Sequence, residues 1–157
     1  MKILILVVGK THDVSILQGV EKYRNRLKHY IGVDYEEISD LKNRKILSQD
    51  QQKKQEADLI FSRLKVGDKL ILLDERGKSY RSIEFADYLQ KEMNSGIKRL
   101  VFTVGGPYGF YSSVYDRAQA KLSLSKMTFS HQMIRLFLCE QLYRAMTILK
   151  HEPYHHE

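Results

Sequence analysis

Lys2 to Gly9 is a nearly continuous run of Leu and β-branched residues, and directly beyond it the apolar positions Ile16, Val20, Tyr23, Leu27 and Tyr30 fall four, three, four and three apart. The run reads as a strand buried on both faces, and the spacing from Asp13 to Tyr30 is the one-sided repeat of a helix. The same change of period recurs along the chain. Val33 to Ser39 reads as a second strand, and Ser48 to Leu64 as a polar, Gln- and Lys-rich helix with Ala57, Ile60, Phe61 and Leu64 on one face. Lys69 to Asp74 is a third strand. Ser82 is the expected N-cap of a helix carrying Phe85, Leu89 and Met93, stopped by Asn94-Ser95-Gly96. Arg99 to Val104 makes a fourth strand, Ser112 to Ala120 a short helix, Lys121 to Ser125 a fifth strand, and a last helix runs from Ser130 to Lys150. This alternation predicts an α/β fold, a mainly parallel sheet with helices on both faces. At 157 residues the chain is expected to form one domain spanning 1–157.

Two strand ends stand out. The fourth strand breaks into Gly105-Gly106-Pro107-Tyr108-Gly109, and the fifth runs on through Leu122-Ser-Leu-Ser-Lys-Met-Thr-Phe-Ser-His131. Glycine leaves the backbone bare for close approach and proline fixes the exit direction, while the second loop offers amides and hydroxyls. Ligands of open α/β sheets bind beyond the carboxyl ends of strands, so these two ends outline a pocket. Two ordinary turns would carry the same residues.

Several function classes are disfavoured. Gly9-Lys10-Thr11 does not continue into a dinucleotide fingerprint, the glycines at 105–109 have the wrong spacing for one, and there is no P-loop. No metal site is expected: there is no Cys-x-x-Cys, and His155 and His156 are adjacent, a poor spacing for two ligands of one ion. The single cysteine, Cys139, lies in an apolar helical pattern and reads as a packed thiol. The apolar start is far shorter than the roughly 20 residues that cross a bilayer, and no cleavage pattern follows it, so a cytoplasmic location is expected. Twenty-six Lys and Arg against 19 Asp and Glu, a net charge of +7, favour a polyanionic partner. Arg24, Arg26, Lys28, Lys42, Arg44, Lys45, Lys53 and Lys54 are the candidate contacts, although solvated helix faces explain most such charges.

The wording of six segments resembles the SPOUT superfamily of knotted methyltransferases, and within it the RlmH family, which methylates ring nitrogen 3 of a pseudouridine in 23S ribosomal RNA. The segments are Met1-Lys-Ile-Leu-Ile-Leu-Val-Val-Gly9-Lys10, Leu70-Ile-Leu-Leu-Asp74 with Gly77-Lys78, the Gly-Gly-Pro turn, Leu122-Ser-Leu-Ser-Lys-Met-Thr-Phe129, Glu140-Gln-Leu-Tyr-Arg-Ala145 and the Tyr154-His155 ending. Their order covers nearly the whole chain. The resemblance implies a deep carboxyl-terminal trefoil knot, a homodimer, and S-adenosyl-L-methionine held bent among the knot loops. The implied cofactor residues are Leu73, Gly105 and Leu124, Ser125, Lys126, Met127, Thr128 and Phe129, with Gly106 leaving room for close approach. Leu73, Leu124 and Phe129 read equally well as core.

The implied reaction is displacement at a sulfonium methyl by a ring nitrogen, with loss of the imide proton. His131, just after the pocket loop, is an expected proton acceptor, as are His155 or a carboxylate; a capping or core contact is the other reading of His131. Tyr154 would stack on the target base and His155 contact it. Family members commonly end in Tyr-His followed by Arg or Lys; here His156 occupies that place, so its substrate contact would become pH-dependent. Arg144 is expected to meet substrate or to join an ion pair between subunits. The last helix carries Ile134, Leu138, Leu142, Ala145 and Leu149 on one stripe with Met133, Phe137 and Tyr143 elsewhere, more apolar surface than one core needs. The expected partners are therefore a second copy of the chain and 23S rRNA in the large subunit or assembled ribosome, with no membrane. Two other readings compete: a non-catalytic ribosome- or RNA-binding protein with this fold, and a sibling enzyme acting on transfer RNA.

Overall fold

A computed structural model describes residues 1–156. The elements are β1 (Lys2–Val8), α1 (Val14–Leu27), β2 (Val33–Ile38), α2 (Gln49–Arg63), β3 (Lys69–Ser79), α3 (Ser82–Asn94), β4 (Arg99–Val104), α4 (Ser112–Arg117), β5 (Ala120–Ser123) and α5 (Met133–Leu149). The strands form one sheet in the order β2-β1-β4-β3-β5, and every neighbouring pair is parallel.

The unbroken apolar run of β1 is explained by its place between β2 and β4, where both faces are covered. Its side chains alternate between two cores. Ile3, Ile5 and Val7 join Ile16 and Val20 of α1, Phe85 and Leu89 of α3, and Leu138 and Leu142 of α5. Leu4, Leu6 and Val8 join Ala57 and Ile60 of α2 and Val114 of α4 on the opposite face. Burial of each such side chain contributes about 1.5–3 kcal/mol. Helices therefore cover both faces, as the alternation predicts.

Local signals decide the helix starts. Asp13 caps α1 by accepting from the amides of Ser15 at 2.8 Å and Ile16 at 3.2 Å. Ser48 and Gln51 form a reciprocal capping box at α2. For α3 the expected cap is displaced by one residue. Arg81 stands at the N-cap, its N–H donating to the Glu84 carboxylate at 2.8 Å, and Ser82 is the first helical residue.

The largest differences from the sequence-based boundaries lie at the carboxyl edge of the sheet. β3 continues past Asp74 to Ser79, with its pairing to β5 interrupted between Leu73 and Lys78. The polar stretch Asp74-Glu75-Arg76-Gly77 hid this extension, because a bulged strand loses its period-two pattern. α4 ends at Arg117 rather than Ala120, and β5 starts at Ala120 and stops at Ser123. α5 begins at Met133 rather than Ser130, since residues 124–132 leave the helical path to wall a cavity.

Gly77 makes the β3 bulge possible. A Cβ there would lie 2.7 Å from the carbonyl carbon of Lys121 and 2.8 Å from Leu122 backbone, contacts that only separation of the strands relieves. Gly77→Ala is expected to lower stability by about 1–3 kcal/mol in urea denaturation. Gly32→Ala, whose Cβ would meet only the Lys2 side chain at 3.5 Å, is expected to cost much less.

Candidate active site

A cavity of about 520 Å³ opens at the carboxyl edge of the sheet. This volume falls in the range of small-molecule sites. Three segments wall it: Leu73 to Arg76 in the β3 bulge, the Gly-Gly-Pro turn after β4, and Leu122 to His131 around the end of β5, with Ile134 of α5 closing one side. Leu73, Leu124, Phe129 and Ile134 make apolar wall; Asp74, Glu75, Ser125, Thr128 and His131 bring polar groups to it.

Short-range bonds shape the β5 loop. The Ser123 hydroxyl donates to the Ser125 carbonyl at 2.8 Å, and the Ser125 hydroxyl accepts the Met127 N–H at 2.9 Å. The Thr128 hydroxyl donates to the Glu75 carboxylate, tying this loop to the β3 bulge across the cavity. Phe129 packs on Phe137 of α5, ring centroids 4.8 Å apart. Of the expected cofactor residues, Leu73, Gly105, Gly106, Leu124, Ser125, Met127, Thr128 and Phe129 all line the cavity. Lys126 belongs to the same loop, but its exposed side chain lies outside the cavity wall.

The two glycines also answer to protein contacts. A Cβ on Gly105 would sit 3.2 Å from ring carbons of Phe110, and one on Gly106 would sit 3.1 and 3.2 Å from the carboxylate oxygens of Glu56. Glu56 is buried on α2 and accepts from Gln52 Nε2 at 2.9 Å; burial pushes its carboxyl above the ordinary range, against the opposing hydrogen bond from Gln52. The turn therefore runs between the cavity on one side and a buried acid on the other.

Asp74, Glu75, Arg76 and Tyr115 line the cavity and are not among the candidate site residues of the sequence. Asp74 accepts from the Tyr115 hydroxyl at 2.7 Å, from the Arg76 N–H at 2.8 Å and from Arg76 Nε at 3.3 Å. Burial alone would raise its carboxyl, yet the hydrogen bonds from Arg76 and Tyr115 outweigh it and hold the group at about 2. Tyr115 lies 41 residues away in sequence, so nothing local announces the pairing.

His131 stands on the cavity wall. Burial, reinforced by the charge of Arg135, depresses its imidazole below 6.5, so the ring is neutral at neutral pH. Arg135 itself is fully buried. Its guanidinium donates to the carbonyls of His131 at 2.8 Å, Val8 at 2.8 Å and Gly9 at 3.0 Å, and to the Thr11 hydroxyl at 2.8 Å. The signal available beforehand was one charge inside Ile134-Arg135-Leu136-Phe137-Leu138.

The carboxyl-terminal residues form a separate cluster on α5. Tyr154 donates to Glu140 at 3.0 Å and packs against Tyr143 with ring centroids 4.7 Å apart. Arg144 donates to the same Glu140 at 2.7 Å, lies 4.7 Å from the centre of the Tyr154 ring, and has Nη1 3.4 Å from His155 Nδ1. The ion pair of Arg144 is thus within its own chain. His155 Nε2 is buried without a hydrogen-bond partner among the described residues, and His156 is exposed. None of these tail residues lines the cavity of the same chain. Cys139 is buried in the core, where desolvation pushes its thiol up to about 12, as a packing role requires. Among the described residues no group of three His, Cys, Asp or Glu side chains gathers to hold a metal, and no helix is long and apolar enough to cross a membrane.

A parallel α/β sheet with a cavity walled by loops at its carboxyl edge is the setting in which the comparisons fall. The chain belongs to the SPOUT methyltransferases: the family described as "Predicted SPOUT methyltransferase" matches residues 1–155. More particularly, it is similar along its whole length to proteins named "Ribosomal RNA large subunit methyltransferase H". It is 57% identical to the one from Parabacteroides distasonis and 55% identical to the one from Flavobacterium johnsoniae, each match covering 100% of both chains. Among solved structures, the SpoU methyltransferase AviRb from Streptomyces viridochromogenes in complex with AdoMet matches at a TM-score of 0.49 and 10% identity, over 96% of this chain and 59% of that one. That likeness is too distant to carry weight.

The Asp74 cluster has a pH signature. With its carboxyl held at about 2 against an ordinary 3.8, the stabilisation is present above about pH 4 and is lost as pH falls toward 2. In urea denaturation across that window, the advantage of the wild-type chain over Asp74→Asn is expected to shrink with acidification; a constant difference would contradict the assignment.

Proposed function

We propose that this chain transfers a methyl group from S-adenosyl-L-methionine to ring nitrogen 3 of a pseudouridine in 23S rRNA of the large ribosomal subunit. The observation that carries the reading is the cavity between the β3 bulge, the Gly-Gly-Pro turn and the β5 loop, in a chain similar from end to end to large-subunit rRNA methyltransferases.

The cavity fits the cofactor chemically. Leu73, Leu124 and Phe129 offer an apolar slot for an adenine ring, the backbone at Gly105 and Gly106 lies open to a ribose or methionine segment, and the Glu75 carboxylate with the Asp74–Arg76 ion pair gives the cavity a polar side. When bound, the cofactor supplies an activated methyl on a sulfonium. The work left to the protein is mainly positioning, which contributes on the order of 7–11 kcal/mol in well-oriented encounters. The bonds from the Thr128 hydroxyl to Glu75 and from the Met127 N–H to the Ser125 hydroxyl hold the loop that does it. His131, neutral and on the cavity wall, accepts the imide proton as the ring nitrogen attacks.

The chain acts as a single cytoplasmic domain with a knotted carboxyl-terminal part, and as a homodimer. Exposed Val14 and Leu17 on α1 and Met133 on α5 support the dimer. They lie at adjoining helix starts, where the His12 N–H donates to Gln132 at 3.0 Å. In that assembly Tyr154, His155, His156 and Arg144 serve substrate at the partner's cavity.

The test is methyl transfer from labelled cofactor to ribosomes and subunits lacking the modification, with free rRNA and transfer RNA as controls and nucleoside mass spectrometry as readout. Label is expected as methylpseudouridine in large-subunit RNA. Label in transfer RNA would favour a sibling activity, and no transfer with no cofactor binding would leave a non-catalytic RNA binder. His131→Asn is expected to slow transfer by about 10²- to 10⁴-fold with little change in cofactor affinity. The wild-type rate should hold its plateau to below pH 6.5, because the imidazole is depressed from that value; a plateau ending above it contradicts the assignment.

A further inference from the structure

We propose that the loop of residues 39–48 between β2 and α2 grips the RNA backbone beside the cavity, with Lys42 and Lys45 on phosphates flanking the target nucleotide and Arg44 tethering the loop to Asp40. This rests on the RNA methyltransferase reading above.

Lys42-Asn43-Arg44-Lys45 puts three cations in four residues, all exposed. The loop leaves the carboxyl end of β2, the sheet edge at which the cavity also opens. Its root is held there. Asp40 Oδ1 lies so close to Gly9 that a Cβ on that glycine would be 2.9 Å from it, and Gly9 is in turn a ligand of buried Arg135. Asp40 pairs with His12 at 3.8 Å and with Arg44 at 3.6 Å, which draws the basic run back toward the end of β1. Arg44 is thereby held next to the seam at the end of β1, where Arg135 binds the carbonyls of both Gly9 and His131, the latter on the cavity wall.

Of the other cations suggested by the sequence, Lys53 and Lys54 lie on α2, and the three on α1 and at its end are engaged with their own chain. Arg24 donates to Glu21 at 2.8 Å and faces the Tyr35 ring, Arg26 lies over Tyr23 and Tyr143, and Lys28 donates to Asn25 at 3.2 Å. Lys42 and Lys45 make no hydrogen bond or ion pair among the described residues. Beside them Ile46 is 82% exposed, an apolar side chain that an unstacked base or ribose can cover. Cations next to exposed apolar surface suit a single-stranded segment, which presents phosphates and splayed bases together.

The experiment compares the full chain with Lys42→Ala/Lys45→Ala, and with Lys28→Ala as a control at an engaged cation. Three quantities are read: KM for the ribosomal substrate, the salt dependence of binding to an RNA fragment carrying the target nucleotide, and cofactor affinity by calorimetry. The double variant is expected to raise KM by about tenfold or more and to flatten the slope of log affinity against log salt by roughly 1.4–1.8, since each phosphate contact contributes about 0.7–0.9. Its cofactor affinity and the behaviour of Lys28→Ala should be unchanged. Unchanged KM and slope in a double variant compared with an active wild type overturn the proposal. So does a raised KM with unchanged binding to naked RNA, which assigns the loop to a ribosomal protein, or a fall in cofactor affinity, which assigns it a structural role. Absence of transfer by the wild type itself would remove the methyltransferase reading, and this inference with it.

Discussion

A guanidinium buried completely and bound to carbonyls rather than to a carboxylate is an expensive thing for a small protein to hold, because desolvation of the charge must be offset by every hydrogen bond it makes. Arg135 is in that position, and its bonds to Val8, Gly9, Thr11 and His131 join the carboxyl end of β1 to the entry of α5. Around it the same seam is sewn by Gln132, which donates to the Lys10 carbonyl at 3.0 Å and accepts from His12. The consequence is a fixed end for the loop that begins after β5. Beyond that anchor the loop is held by Thr128 on Glu75 of the β3 bulge and by Phe129 on Phe137 of α5.

The opposite walls are set by different physics. The β3 bulge depends on Gly77 fitting against β5 backbone, and it projects Asp74, Glu75 and Arg76 toward ligand space instead of into the ladder. The Gly-Gly-Pro turn depends on Glu56 and Phe110 pressing from behind. Glycine at 105 and 106 is therefore demanded from the protein side as well as useful on the ligand side. Contacts within the protein thus fix each of the three walls.

Sequence patterns reveal elements well where one interaction dominates. The β1 run was legible because both faces of that strand are buried, and α1 and α2 because Asp13 and Ser48 are strong caps at the head of a periodic helix. The Ser82 cap was misread by one residue, since a glutamate at 84 satisfies the preceding N–H whatever side chain stands at 81. The β3 extension was invisible because its residues are polar and bulged. Within the cavity, the loops could be named from the bare-backbone argument, and His131 from its place just after them, together with the family resemblance. Asp74 and Tyr115 on the cavity wall, and Arg135 buried behind it, could not, because what makes each of them matter is a partner brought near by the sheet rather than by the chain. The tail shows the converse: Tyr154 and His155 were picked out by wording, and in the single chain they pack on α5 against Glu140 and Arg144.

If the three carboxyl-edge loops hold S-adenosylmethionine as proposed, a crystal structure of the chain with S-adenosylhomocysteine will show it. The purine is expected between Leu73, Leu124 and Phe129, with the rest of the molecule along the backbone of Gly105 and Gly106. Ligand bound elsewhere, or the cavity left empty while the ligand occupies another surface, would contradict it.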